Sequence, residues 1–381
     1  VVFQASFDPQ FAQSKTQEAS NMSIKRRTFI QAAGAGLAAS SLPLLGGKAR
    51  AADFKAGYIY VGPIGDFGWS YQHDQGRLAA DKALGTSSTY VEKVPEGADA
   101  ERVIRELADT GHGIIFTTSF GFMDATLKVA RDYPDVKFEH ATGYKRADNV
   151  ATYNIRFYEG RYIQGIIAGK MSKAGVVGYI GSIPIPEVIM GMNAFILGMR
   201  TINPNAKLKQ VFINSWYDPG KEADAAKALL DQGADIMAQH TDSPASLQVA
   251  AERGLKGFGQ ASDMIKFAPN AQLTSSIDHW DGYYTERIKA AMDGTWKSED
   301  VWKGLDTGML KMADYANMPD DVKKMAMDTE EAIRTGKLTI FKGPINAQDG
   351  SVKVADGTAL GDGDIAGMNW LAEGVEGDLP K

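Results

Sequence analysis

From Phe54 onward, short apolar runs alternate with longer amphipathic stretches, and this alternation narrows the folds open to the chain more than any other feature. Runs of roughly four to eight residues rich in Val, Ile and aromatics read as strands, and 3.6-residue apolar patterns between them as helices. Strands and helices in strict alternation belong to parallel α/β sheets with helices on their faces. A first set has expected strands at 56–61, 89–94, 113–118, 136–141 and 150–155, separated by helices at 68–84, 98–109 and 121–133. The helical spacing is plainest in Ala100-Glu-Arg-Val103-Ile104-Arg-Glu-Leu107-Ala108. A second set has strands at 176–180, 209–214, 235–239, 257–260 and 273–277, with helices at 158–171, 186–202, 221–232 and 246–252. Two such arrays imply two lobes, each with its own sheet. Two more helices (282–292 and 320–335), a hairpin-like segment at 338–354 and a Gly/Asp-rich terminus follow. No low-complexity linker separates the arrays, so the chain is expected to cross between lobes several times.

Open α/β sheets bind ligands outside the carboxyl ends of their strands, which makes the strand-to-helix junctions the candidate positions. At the first junction the breaker cluster Gly62-Pro63-Ile64-Gly65 is followed by Asp66, Phe67, Gly68, Trp69 and Ser70. A lone aromatic is more often core than site, but these aromatics sit in a glycine-rich turn. Phe120, Phe122 and Asp124 follow the third strand, and Ser215-Trp216-Tyr217-Asp218 follows a strand of the second set. Ser182 to Glu187, Gln260 to Asp263, and Asp278-His279-Trp280-Asp281 occupy equivalent places. Asp and Ser are ordinary helix N-caps, so any one junction has a bland explanation. Five such junctions beyond the first, all carrying aromatics or acids, fit a flat aromatic ligand, stacked on rings and donating N–H groups to carboxylates.

Catalytic signatures are absent from the sequence. It has no G-x-S-x-G, no phosphate-binding loop and no G-x-G-x-x-G, because Gly62, Gly65 and Gly68 have the wrong spacing. There is no cysteine. The five histidines are scattered, and His240-Thr-Asp242 alone pairs metal-ligand types closely, short of the three or four ligands zinc takes. No cofactor is therefore expected. Residues 1–51 read as a secretory signal: Lys25-Arg26-Arg27-Thr28-Phe29-Ile30, an Ala/Gly-rich apolar stretch from 32 to 45, and Ala49-Arg50-Ala51 as a cleavage site. The paired arginines mark twin-arginine export, and 1–21 reads as an upstream extension. Removing 1–51 takes away six basic and two acidic residues and moves the formal charge from −6 to −10. Such a charge argues against nucleic acid or an anionic membrane surface as partner. With no cysteine after the signal there is no lipid-anchor position, so a free periplasmic protein is expected.

At these junctions the sequence resembles the basic membrane protein family, the purine-nucleoside-receptor-like solute-binding proteins of ABC importers. Asp66-Phe-Gly-Trp69-Ser70 with Gly76 is similar to the family's D-x-x-F-N and its following glycine. Ser119-Phe120-Gly-Phe122-Met-Asp124-Ala125 resembles its G-F-x-F-x-D-A, Asn214-Ser215-Trp216-Tyr217-Asp218-Pro219 its G-S-F-x-D-P, and Thr274-Ser275-Ser276-Ile277-Asp278-His279 its T-S-V-x-K-N. The resemblance implies an α/β type I periplasmic-binding-protein fold of two Rossmann-like lobes with a hinge of several crossings. Its first lobe would be 54–155 plus about 273–297, and its second 156–272 plus about 298–381. It implies a monomeric receptor that closes on a purine and delivers it to ABC permease subunits. The implied ligand-binding residues are Asp66, Trp69, Ser70, Phe120, Asp124, Trp216, Asp263 and Trp280. Two departures bear on the ligand: Asp278 stands where the family lysine meets ribose hydroxyls, and Gln260-Ala-Ser-Asp263 keeps one acid of the family's G-V-D-x-D. Both favour a free base such as adenine over a nucleoside. An exported enzyme acting on a small heterocycle, or a ligand sensor for a membrane receptor, are the alternative readings.

Overall fold

The computed structural model describes residues 54–380. The expected signal at 1–51, with its extension at 1–21, lies outside the described residues. The first array contains strands β1 (Ala56–Tyr60), β2 (Thr89–Val91), β3 (Ile114–Thr118), β4 (Lys137–Ala141) and β5 (Val150–Ile155). Helices α1 (Trp69–Leu84), α2 (Ala98–Asp109) and α3 (Met123–Asp132) lie between them. Helix α4 (Phe157–Met171) opens the second array, where β6 (Val176–Gly181), β7 (Lys207–Phe212), β8 (Ile236–His240), β9 (Lys256–Gly259) and β10 (Gln272–Asp278) alternate with α5 (Pro186–Ile202), α6 (Pro219–Asp231) and α7 (Ala245–Glu252). The remainder holds α8 (Asp281–Met292), β11 (Asp300–Lys303), β12 (Leu310–Met312), α9 (Asp320–Arg334), the antiparallel pair β13 (Ile345–Asn346) and β14 (Val352–Val354), α10 (Asp362–Ala366) and β15 (Val375–Glu376).

Two sheets result. The first has the order β11-β5-β4-β3-β1-β2 and is wholly parallel. The second has the order β12-β10-β9-β8-β6-β7-β15 and is parallel except for β12, which runs against β10. Helices pack on both sheets, giving two α/β lobes. The chain passes between them after β5, after β10 and between β11 and β12, so the hinge has three crossings.

One expectation is corrected here. Residues 273–297 are expected in the first lobe, yet β10 pairs with β9 and β12 in the second sheet, and only the part after β10, from Trp280 through α8 to Trp296, packs on the first lobe. Conversely, β11 lies within the tail assigned to the second lobe, but pairs with β5 in the first sheet. Every residue of β10 except Ile277 is buried, so the strand has no polar face to reveal which sheet it joins.

Local sequence explains the layers. In α2 the buried residues Ala100, Val103, Ile104, Leu107 and Ala108 form one stripe, the 3.6-residue pattern expected of a helix with one face on a sheet. Helices α4 and α5 are buried nearly all round and cross at backbone contact. A Cβ at Gly165 would stand 2.0 Å from Phe195 O, and one at Gly198 2.3 Å from Tyr162 O, so only glycine fits the crossing. Under the first sheet, Glu139 is fully buried and accepts from Tyr283 Oη (2.6 Å), Arg287 Nε (2.5 Å) and Trp296 Nε1 (2.6 Å). Those donors satisfy a carboxylate that would otherwise be costly to bury, and they fasten α8 beneath the strands whose carboxyl ends carry the cleft loops.

Candidate functional site

The turn after β1 is wound onto one carboxylate. Asp66 is buried and accepts backbone N–H bonds from Gly68 (2.8 Å), Ser70 (3.1 Å) and Tyr71 (3.0 Å), which satisfies free amides at the start of α1. Ser70 Oγ accepts from Gly62 N at 3.1 Å and closes the turn from the other side. Trp69 is thereby presented at the first residue of α1, where its Nε1 donates to Thr118 O at the end of β3 (2.7 Å). Behind it, His73 meets its ring edge-on at 4.2 Å and Trp280 at 5.6 Å. The indole is a held surface.

Strain gathers at the same edge. Six non-glycine residues among those described have positive φ, and five of them follow strands at the carboxyl edges: Phe67 (61°), Lys93 (57°), Thr142 (60°), Asn214 (51°) and Ala261 (60°). Left-handed conformations at such residues persist where the surroundings impose them, and they concentrate at functional loops.

The two carboxyl edges face each other and touch. A Cβ on Gly68 would lie 2.4 Å from Asp242 O and 2.8 Å from its Cα, so first-lobe and second-lobe backbones meet there. Ser262 Oγ donates to Phe67 O, Gln72 Nε2 to Asp278 O (2.7 Å), Asn154 Nδ2 to Glu187 Oε2 (3.1 Å) and Trp216 Nε1 to Glu96 Oε1 (3.3 Å). The same Glu96 oxygen accepts from Ser119 Oγ at 2.6 Å, so one carboxylate links walls from both lobes.

Within this seam lies a cavity of about 20 Å³. The first lobe lines it with Val61, Trp69, Ser119, Phe120 and Thr142, and the second with Glu187, Trp216, His240, Asp242 and Gln260. Its electrostatics are acidic. Burial is the main cause holding the Asp66 carboxyl up at about 6, against three backbone N–H bonds that pull it down. Burial also pushes Asp242 well above the carboxylate range, and the charges of Asp66 and Glu222 push the same way. Burial lowers His240, partly offset by its hydrogen bond to Glu187, whose Oε1 lies 3.4 Å from Nε2. Beneath the floor, Arg161 is fully buried and donates to Gln164 Oε1 (3.0 Å) and Gln260 Oε1. Asp278 is buried with neither carboxyl oxygen hydrogen-bonded, while its amide donates to Ala261 O at 2.8 Å beside Gln260. Burial raises Asp278 as well, and Arg161 opposes that rise.

Of the residues singled out by sequence, Trp69, Phe120 and Trp216 stand on the cavity wall. Asp66 and Ser70 lie behind it and build the turn that carries Trp69. Trp280 is a core residue, stacked on His73 at 4.6 Å and 10°. Asp124 is placed elsewhere: its side chain is 89% exposed and pairs with Lys145 on the surface (3.3 Å). Asp263 is also outside the lining, accepting from Ile265 N (3.0 Å) and Gln272 Nε2 (2.7 Å) as a local cap. An acid-beside-aromatic criterion does not pick out Glu187, His240, Asp242 or Gln260. Position does, because each stands at or just after the carboxyl end of β6, β8 or β9. Among the described residues no three His, Asp or Glu side chains are grouped to hold a metal ion, and no helix is long and apolar enough to cross a membrane.

This architecture and sequence have known relatives. A purine-binding protein of Brucella abortus is 58% identical over 341 residues, covering 89% of this chain and 97% of the relative. A provisionally named ABC transporter glucose-binding protein, TsgA13, of Haloferax volcanii is 35% identical over 337 residues, covering 88% and 84%. Among solved structures, an ABC transporter solute-binding protein from Aeropyrum pernix superposes with a TM-score of 0.66 at 20% identity, over 77% of this chain and 93% of that one. That likeness bears on the fold alone, and the fold is the type I periplasmic-binding-protein architecture. The family profile described as ABC transporter substrate-binding protein PnrA-like matches residues 54–348, and the chain belongs to that family, Bmp.

Proposed function

We propose that this protein captures a purine-like heterocycle between its lobes, holds it without turnover and presents it to the permease of an ABC importer. The observation that carries the reading is the seam itself. Aromatic side chains from both lobes, Trp69 and Phe120 on one side and Trp216 on the other, enclose a space whose polar groups are two carboxyls, two hydroxyls, an amide and a histidine. Rings stack on a flat heterocycle, and carboxyls accept its N–H groups. The remaining space is about 20 Å³, so the ligand enters with the lobes parted and stabilises the closed state by contacts to both. The purine-binding name of the Brucella relative supports this ligand class.

A free base is favoured over a nucleoside. Asp278, at the position where the family resemblance places a ribose-directed lysine, is a buried acid whose oxygens have no hydrogen bond. An acid at that position supplies no ammonium to donate to ribose hydroxyls, so the departure favours the base. Calorimetric titration tests the reading: adenine should bind more tightly than adenosine, and glucose should bind at least a hundredfold more weakly than adenine. The name of the Haloferax relative favours a sugar instead, and saturation by glucose with no response to adenine would establish that competing ligand.

The protein would act as a monomer in the periplasm, exported by the twin-arginine route. Replacing Arg26 and Arg27 by lysine should leave precursor in the cytoplasm; unimpaired export would remove that assignment.

A further inference from the structure

Beside the cleft lies a second chamber of about 460 Å³, and the two share Phe120, Thr142 and Glu187 as common walls. The chamber is also an interlobe space. Tyr144 and Trp302 come from the first lobe, Ile185 and Met190 from the second, and the Asn154 to Glu187 hydrogen bond (3.1 Å) spans it. Trp302 is a fixed platform: its Nε1 donates to Ile155 O at 3.0 Å, and the Arg156 guanidinium lies 4.6 Å from the ring centroid. Tyr144 stands at the rim, 69% exposed, with its ring 6.0 Å from that of Phe120. Two carboxyls reach the chamber, and both have protein partners. Asp300 accepts from Thr152 Oγ1 at 2.7 Å, and Glu187 lies within reach of Asn154 and His240. Among the described residues no lysine or arginine lines it. The chamber therefore offers apolar and aromatic walls with its acids already engaged, a poor place for ribose hydroxyls or phosphate and a good one for a hydrocarbon or aryl group.

We propose that this chamber receives an apolar, preferably aromatic, substituent carried by the heterocycle bound in the cleft, so that the receptor takes benzyl- or alkyl-substituted purines as well as the bare base. The proposal rests on the purine reading of the cleft. A group leaving the base toward Phe120 and Thr142 passes directly into the chamber, and its contacts with Trp302 and Met190 add to those that hold the lobes together.

The test is calorimetry on the exported chain with adenine, N6-benzyladenine and 9-benzyladenine. At least one benzylated base should bind the wild type within fivefold of adenine, or more tightly. Met190→Trp, which fills the chamber from the second lobe, should weaken that base at least tenfold and change adenine by less than threefold. Trp302→Ala should weaken it in the same selective way from the other wall. The proposal is overturned if both benzylated bases bind more than fivefold more weakly than adenine, or if neither variant separates the benzylated base from adenine. Failure of the wild type to bind adenine at all removes the purine reading beneath it, a distinct result.

Discussion

Replacing Trp216 by alanine isolates the contribution of the second lobe's aromatic wall. The residue is half-buried in the loop after β7, and its indole makes one hydrogen bond, Nε1 to Glu96 Oε1 across the seam at 3.3 Å. Stacking of a base on an aromatic is worth roughly 1–3 kcal/mol by alanine substitution. The interlobe hydrogen bond adds about 0.5–1.5 kcal/mol. Their sum, about 1.5–4.5 kcal/mol, corresponds to an affinity loss of roughly tenfold to a thousandfold. Trp216→Phe keeps a ring face and loses only the hydrogen bond, so it should cost roughly two- to tenfold. Trp69→Ala is a less clean probe, because Trp69 packs on His73 and Trp280, and removing such an indole costs about 3–5 kcal/mol of stability. Adenine titrations by calorimetry, paired with thermal melts showing that Trp216→Ala stays folded, give the answer. If Trp216→Ala binds adenine within twofold of wild type, the base does not stack there and the reasoning fails.

Two further perturbations probe the seam. Asp66 titrates near 6 in the folded protein, above the unfolded value, so the stability it contributes is fully present below the unfolded pKa and is lost as pH rises through the folded one. Relative to Asp66→Asn, the wild type should therefore gain stability as pH falls from about 6 to 4, by at most ~3 kcal/mol; melts of both proteins across that range check it, and parallel pH profiles would contradict it. Gly68→Ala places a Cβ 2.4 Å from Asp242 O, a clash between backbones of the two lobes that separating them relieves. It should lower adenine affinity tenfold or more and enlarge the particle in small-angle scattering with little loss of thermal stability, and an unchanged affinity would show that the lobes do not meet at that point.

Much of the lobe architecture was legible because βα alternation is carried by local pattern. The apolar stripe of α2 and the breaker glycines after β1 sit where periodicity and turn chemistry put them. Assignment of β10 and β11 to sheets was not legible. A strand buried on both faces, such as β10, carries no alternation, and the four-residue β11 joins its sheet edge through pairing with β5, a contact between residues about 150 apart in sequence. The site divides the same way. Trp69, Phe120 and Trp216 are conspicuous as aromatics in turns, and they reach the cavity. Asp66 and Ser70 are equally conspicuous, but their side chains are consumed in holding the turn: Asp66 accepts the free amides at the helix start, and Ser70 Oγ accepts the amide of Gly62. Asp124 follows an aromatic pair and opens a helix, so sequence cannot distinguish an inward acid from a solvated first-turn residue. Glu187 and His240 come together only when the ends of β6 and β8 become neighbours, which no local pattern encodes.

The central claim is that the seam between the lobes holds a purine-like base. Mass spectrometry of the small molecules released on denaturing protein purified without added ligand tests it most directly. The account predicts a purine mass, released in amounts approaching one per chain and lost from Trp216→Ala. A sugar, or any other compound without a heterocyclic base, released at that stoichiometry would contradict it.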